Sequence, residues 1–141
     1  MSPIDRAVLA ERTLAVTRHL DRVAAKLPDA PGDLKASTDA SDAVILHLWQ
    51  ATQIVIDLAV SACVALGGGT PATYADAFRK LGAAGILDQA LASRLVKAAG
   101  FRNVVAHGYD TLDMPRVHHA ATTGPADLCA FLAALSRHAK P

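Results

Sequence analysis

Aromatic side chains are scarce in this chain, with three Phe, two Tyr and one Trp among 141 residues. Runs of β-branched residues in alternating polarity are missing as well, which removes the usual signature of strands. A dominant charge is also lacking. Lys and Arg number 14 and Asp and Glu 13, for a net charge of +1. A protein that coats nucleic acid through its phosphates would be far more basic, so any RNA contact is expected to be local. The two cysteines, Cys63 and Cys129, have no metal-ligand spacing and are expected as buried thiols, not a disulfide. No metal or cofactor is expected. The longest apolar run, Ile54 to Leu66, is interrupted by Asp57 and is too short to span a bilayer. Asp5, Arg6, Glu11 and Arg12 near the start do not suit a signal peptide. The expectation is a cytoplasmic protein with no membrane partner.

The chain is 52% hydrophobic, enough for one core, and residues 1–141 are expected to form a single domain. Much of the apolar content is alanine, the best helix former. The fold class expected is all-α. A first helix is predicted from about Ser2 or Pro3 to Leu27, with Leu9, Thr13, Val16, Leu20, Val23 and Leu27 as its apolar stripe. Pro28 to Lys35 reads as a loop. Ser37, Thr38, Asp39 and Ser41 offer N-caps for a second helix reaching about Leu66, with Ile45, Leu48, Thr52, Val55, Ala59 and Cys63 facing inward. Trp49, Ile56 and Leu58 widen that face, and Asp57 is expected to be an exposed or capped carboxylate. Gly67-Gly68-Gly69 ends the helix. No Gly-Lys-Ser/Thr follows, so a phosphate loop is not supported. A short third helix starts near Thr70-Pro71, has a capping-box spacing at Thr73 and Asp76, and stops near Gly82. A fourth starts near Ile86 and reaches Gly108, a natural left-handed helix stop. A final helical region begins at Met114-Pro115, breaks at Thr122 to Pro125 and resumes from Ala126 to Lys140. His118 and His119 are expected at the surface, without metal-ligand company.

The candidate chemistry lies at the end of the fourth helix, in Arg102-Asn103-Val104-Val105-Ala106-His107-Gly108-Tyr109. Arg102 continues the apolar stripe of Leu87, Leu91, Leu95 and Ala98, so its charge needs a partner or a crevice. A guanidinium grips phosphate in a planar fork. An imidazole moves protons near neutral pH, and the C-terminal end of a helix favours a cation, which suits His107 as a proton donor. Five residues apart, the two are separated by about 140° of rotation and about 7.5 Å of rise on one helix. One chain converges them poorly on one phosphate. Two chains related by a two-fold axis do better. The bare spacing is also compatible with a structural role, with Arg102 paired to Glu11 or Asp57 and His107 bonded to its own helix. Asn103 is either a support that orients a phosphate or a His, or an exposed amide.

The ordered set of Ile56-Asp57-Leu58-Ala59, Pro71 to Tyr74, Phe78, Leu81, Gly85-Ile86-Leu87 and Arg102-Asn103, His107, Tyr109, Leu112-Asp113 resembles the HepT-like branch of the HEPN superfamily. The resemblance covers most of the chain. It implies an up-and-down bundle of four to five helices that is homodimeric. It further implies a toxin of a type VII-like toxin–antitoxin module, a metal-independent endoribonuclease with Arg102 and His107 as catalytic residues. The partner implied is an MntA-like nucleotidyltransferase antitoxin, which would adenylylate Tyr109. The chain departs from the family pattern at the Thr122 to Pro125 break and at Leu46 to Gln50, which lacks the charged residues usual there. An alternative function is a non-catalytic, nucleotide- or substrate-binding helical partner of a minimal nucleotidyltransferase.

Overall fold

The computed structural model describes residues 5–139, which form a bundle of five α-helices: α1 (Arg6–Lys26), α2 (Asp39–Ala65), α3 (Tyr74–Ala83), α4 (Gln89–Gly108) and α5 (Met114–His138). Single 3-10 turns at Pro31–Asp33 and Tyr109–Thr111 serve as connectors. The expected beginning of the first helix at Ser2 or Pro3, and the end of the last at Lys140, fall outside the described residues.

α2 is the central element, packed against each of the other four helices. Every residue of its expected inner face is buried, from Ile45 to Cys63. By length and composition α2 could cross a membrane, but half of its apolar stretch is already covered by the bundle. Thr38 caps it in a reciprocal box: the Ser41 amide donates to Thr38 Oγ1, and the Thr38 amide donates to Ser41 Oγ, each at 3.1 Å. Its far end closes in a Schellman motif. Gly67, at φ +82°, donates to Val64 O, and Gly68 donates to Cys63 O. The same device ends α3 at Gly85 (φ +80°), with Ile86 N–H on Leu81 O. That turn moves the start of α4 from the expected Ile86 to Gln89, behind the Asp88 carboxylate that accepts from Leu91 N–H at 2.7 Å. The start of α3 also moves, from Thr70-Pro71 to Tyr74, because Thr73 is the residue whose side chain caps Asp76 N–H.

Three further expectations are corrected. The break at Thr122 to Pro125 does not occur, and α5 runs through Pro125 without interruption. A proline inside a helix costs roughly 3 kcal/mol. Val117, Ala121, Leu128, Phe131, Leu132 and Leu135 are all buried along the same helix, and a buried aliphatic or aromatic side chain is worth about 1.5–3 kcal/mol, so the continuous face outweighs the local penalty. Phe131 meets Phe78 of α3 edge-on, with ring centroids 5.8 Å apart. Gly108 is not a left-handed stop, since its φ is −144°. The chain runs on into the 3-10 turn, where Thr111 Oγ1 donates to Gly108 O. Of the two thiols, Cys63 is buried, donates to Ala77 O and has its pKa pushed up by burial. Cys129 is exposed, contrary to expectation.

Candidate active site

The last two turns of α4 are anchored by one buried residue, Val105, while Asn103, Val104, Ala106 and His107 are exposed and Arg102 is half-buried. Arg102 leans towards α2 and α3. Its Nε donates to Gln53 Oε1 at 2.7 Å, and Nη1 donates to Asn103 Oδ1 at 3.2 Å. The guanidinium carbon lies 5.3 Å from the ring centroids of both Trp49 and Tyr74, within cation–π range. Neither Glu11 nor Asp57 pairs with it directly. Asp57 is exposed, as expected, and accepts from Gln53 Nε2 at 2.9 Å, so an amide stands between the carboxylate and the arginine. This cradle fixes the guanidinium without neutralising it. No carboxylate among the described residues forms an ion pair with it.

Asn103 is exposed and accepts the hydrogen bond from Arg102 Nη1. His107 is exposed in the last turn of α4 and has no hydrogen-bond partner among the described residues. The structure therefore keeps Arg102 and His107 on different sides of one helix, as their spacing predicts. Tyr109, 46% exposed, opens the 3-10 turn and donates through its hydroxyl to Asp42 Oδ1 at 2.9 Å. Burial, and after it the Asp42 carboxylate, push the phenol pKa up.

Sequence reasoning missed Trp49, Gln53, Tyr74 and Asp42 as parts of this region. A signal was present on α2. Trp49, Gln53 and Asp57 recur every four residues, a polar and aromatic line on an otherwise apolar helix. Trp49 Nε1 is buried and has no partner among the described residues, a cost of about 1–3 kcal/mol for such a group.

Away from this region, His118 is a correction. It is buried, and Nε2 lies 2.7 Å from Pro28 O, so it ties α5 to the loop after α1; His119 is exposed as expected. His19 of α1 and His47 of α2 form a pair with Nδ1 atoms 3.0 Å apart. Among the described residues no three His, Cys, Asp or Glu side chains gather as a metal-binding group. A cleft of about 590 Å³ lies between α2, α4 and α5, with Lys97, Arg116 and His119 over a floor that includes Phe101 and Leu128; neither Arg102 nor His107 lines it.

The family model described as Ribonuclease HepT-like matches residues 16–135, which include every element of this region. The chain belongs to the HepT-like ribonuclease family. Solved structures agree at the level of fold. A tri-AMPylated Shewanella oneidensis HEPN toxin in complex with MNT antitoxin is similar at a TM-score of 0.83, with 24% identity over 92% of this chain and 97% of that one. A toxin–antitoxin with AMP-PNP gives a TM-score of 0.84 and 23% identity over 94% and 99% of the two chains. A toxin–antitoxin MntA–HpeT mutant gives 0.81 and 23% over 92% and 98%. No curated protein matches the chain.

Proposed function

We propose that this HepT-like protein is the toxin of a two-protein module, an endoribonuclease that works in the cytoplasm without a metal and is silenced by adenylylation of Tyr109. The observation that carries the reading is Arg102, held by Gln53, Trp49 and Tyr74 with its charge unneutralised, in a family of ribonucleases.

The reaction is cleavage of RNA by its own 2′-hydroxyl. Arg102 binds the scissile phosphate and offsets the charge that grows on its non-bridging oxygens. His107 moves the proton, as donor to the leaving oxygen in the cleavage step. Because the two groups diverge on α4, the working site combines Arg102 of one protomer with His107 of the other. The exposed residues Gly100, Asn103, Val104 and His107 recur at helical spacing and form one face of α4. Val104 is 47% exposed, and a Cβ added to Gly100 would meet nothing within 4 Å. A second α4 has room to approach there around a two-fold axis.

The partner is a nucleotidyltransferase of the MntA type. A similar fold occurs in a tri-AMPylated HEPN toxin held by an MNT antitoxin, which supports a nucleotidyl group as the silencing mark. On Tyr109 that group adds bulk and negative charge next to the motif, where it competes with RNA for Arg102.

The test is cleavage of a labelled RNA in the presence of a chelator. Arg102→Ala and His107→Ala are each expected to be inactive. Co-expressed, they are expected to regain about a quarter of wild-type activity, since half of randomly paired dimers are mixed and each carries one intact site of two. A mixture as inactive as its parents would rule out the shared site. Nucleotide binding with no cleavage by the wild type would rule out the nuclease and favour the binding-partner alternative.

A further inference from the structure

The hydroxyl of Tyr109 is already engaged. It donates to a carboxylate 67 residues earlier in the chain, Asp42 in the first turn of α2, at 2.9 Å. We propose that Asp42 is the general base for nucleotidyl transfer to Tyr109, so that this chain carries the group that activates its own acceptor oxygen. The inference rests on the reading of Tyr109 as the modified residue.

A phenol is protonated at neutral pH and attacks phosphorus poorly in that form. In this protein burial and the Asp42 carboxylate raise the Tyr109 pKa further, so little phenolate exists before reaction. The proton must therefore leave as the new bond forms. The step balances as follows. Tyr109 Oη bonds to the α-phosphorus of a nucleoside triphosphate held by the transferase. The Oη–H bond breaks and its proton passes to Asp42 Oδ1. The bond from the α-phosphorus to the bridging oxygen breaks, and pyrophosphate leaves with that electron pair. Asp42 then returns the proton to water. An aspartate that accepts a substrate hydroxyl's proton serves protein kinases in the same way.

Three observations favour Asp42 for this task. It is within proton-transfer reach. It stands on a fixed frame, one residue beyond Ser41, which is fully buried and locked in the capping box with Thr38. Both it and Tyr109 are exposed, so a nucleotide can approach the oxygen they share. Asp110 is closer in sequence but accepts no hydrogen bond from Tyr109.

The experiment uses the full chain with its cognate nucleotidyltransferase and magnesium ATP, and follows AMP on the Tyr109 peptide by mass spectrometry from pH 6 to 9. Asp42→Asn keeps an acceptor oxygen at the same place and removes the base. It is expected to slow modification at pH 7 by about 100-fold or more. The deficit should shrink by about tenfold per pH unit as ionisation of the phenol replaces the base. Asp42→Glu is expected to recover part of the rate, and Asp110→Asn to match the wild type. The melting temperature of unmodified Asp42→Asn reports that the fold is intact. Modification of Asp42→Asn at the wild-type rate overturns the proposal, as does a deficit that is equal at every pH, which would mark a purely positional hydrogen bond. A wild-type Tyr109 that takes no AMP would instead overturn the earlier reading of Tyr109, and that failure appears in the wild-type arm alone.

Discussion

Gln53→Ala separates holding Arg102 from being Arg102. Gln53 accepts from Arg102 Nε at 2.7 Å and passes its own amide hydrogen to Asp57 at 2.9 Å. A hydrogen bond to a charged group is worth about 1.5–3 kcal/mol. Both partners are half-buried, so water recovers part of the loss, and about 1–2 kcal/mol is the fair range. The Trp49 and Tyr74 rings still flank the guanidinium, each worth about 0.5–1 kcal/mol at a partly exposed site, so Arg102 stays near its place but samples more orientations. If the lost bond is expressed fully in alignment with the phosphate, kcat/KM falls by about 5- to 30-fold, at about 1.4 kcal/mol per tenfold. Arg102→Ala removes the clamp itself and is expected to cost at least about 100- to 1,000-fold. The assay is single-turnover cleavage of a labelled RNA under chelator, with melting temperatures measured on the same preparations. A Gln53→Ala enzyme as fast as wild type would refute the positioning argument, because Arg102 would then find its orientation unaided. A loss equal to that of Arg102→Ala, with an unchanged melting temperature, would refute it from the other side and make Gln53 a participant in catalysis.

The His19–His47 pair makes stability depend on pH. Its two Nδ1 atoms lie 3.0 Å apart. Burial first, then Arg22, lowers the pKa of His19; burial, then His19 and Arg22, lowers that of His47. The unfolded chain therefore binds more protons below its own value of 6.5, so this contribution is complete above that pH and is lost as the pH falls through the folded values. Melting temperature should drop between pH 7.5 and 5.5, and the drop should be smaller in His47→Gln; equal slopes in the two proteins would exclude the pair as its source. Pro125→Ala restores an N–H inside α5 and should stabilise by about 1–3 kcal/mol, less the lost proline stiffening of the unfolded chain. A lower melting temperature would mean that the α5 packing needs the proline. Trp49→Phe removes a buried N–H that has no partner among the described residues but keeps a ring under Arg102. It should leave the melting temperature within a few degrees of wild type and weaken RNA cleavage only modestly, and a large loss of stability would show that the indole is better satisfied than its surroundings indicate. Val104→Glu places a charge on the exposed face of α4. It should change monomer stability by no more than about 0.5 kcal/mol yet yield monomers without RNase activity by sedimentation and cleavage assay; an active dimer would place the two-fold contact elsewhere.

Local pattern made α2 legible because its neighbours surround it. When every side of the core is apolar, the positions three and four apart on the helix suffice, and Ile45 through Cys63 are buried as expected. The same kind of signal failed at Pro125, where a local breaker met a long buried face, and at His118, whose partner Pro28 O lies 90 residues away. The cradle of Arg102 and the partner of Tyr109 failed to appear for that second reason. Gln53 is 49 residues from Arg102, and Asp42 is 67 from Tyr109. Periodicity describes one helix at a time and says nothing of which neighbour a side chain will meet.

α4 shows why the candidate site is nevertheless found by the failure of pattern. Two of its residues are inverted relative to an ordinary amphipathic helix. Arg102 lies half-buried towards α2 and α3, and Val104 lies exposed. Each inversion costs stability in an isolated chain, the first through desolvation of a charge and the second through apolar surface left in water. The first is offset inside the chain by Gln53, Trp49 and Tyr74. The second has no remedy within the described residues. The proposed ribonuclease site shared across a two-fold axis would bring an anion to the guanidinium and a second protein surface to the valine in one arrangement, and Val104→Glu is the variant that separates the two.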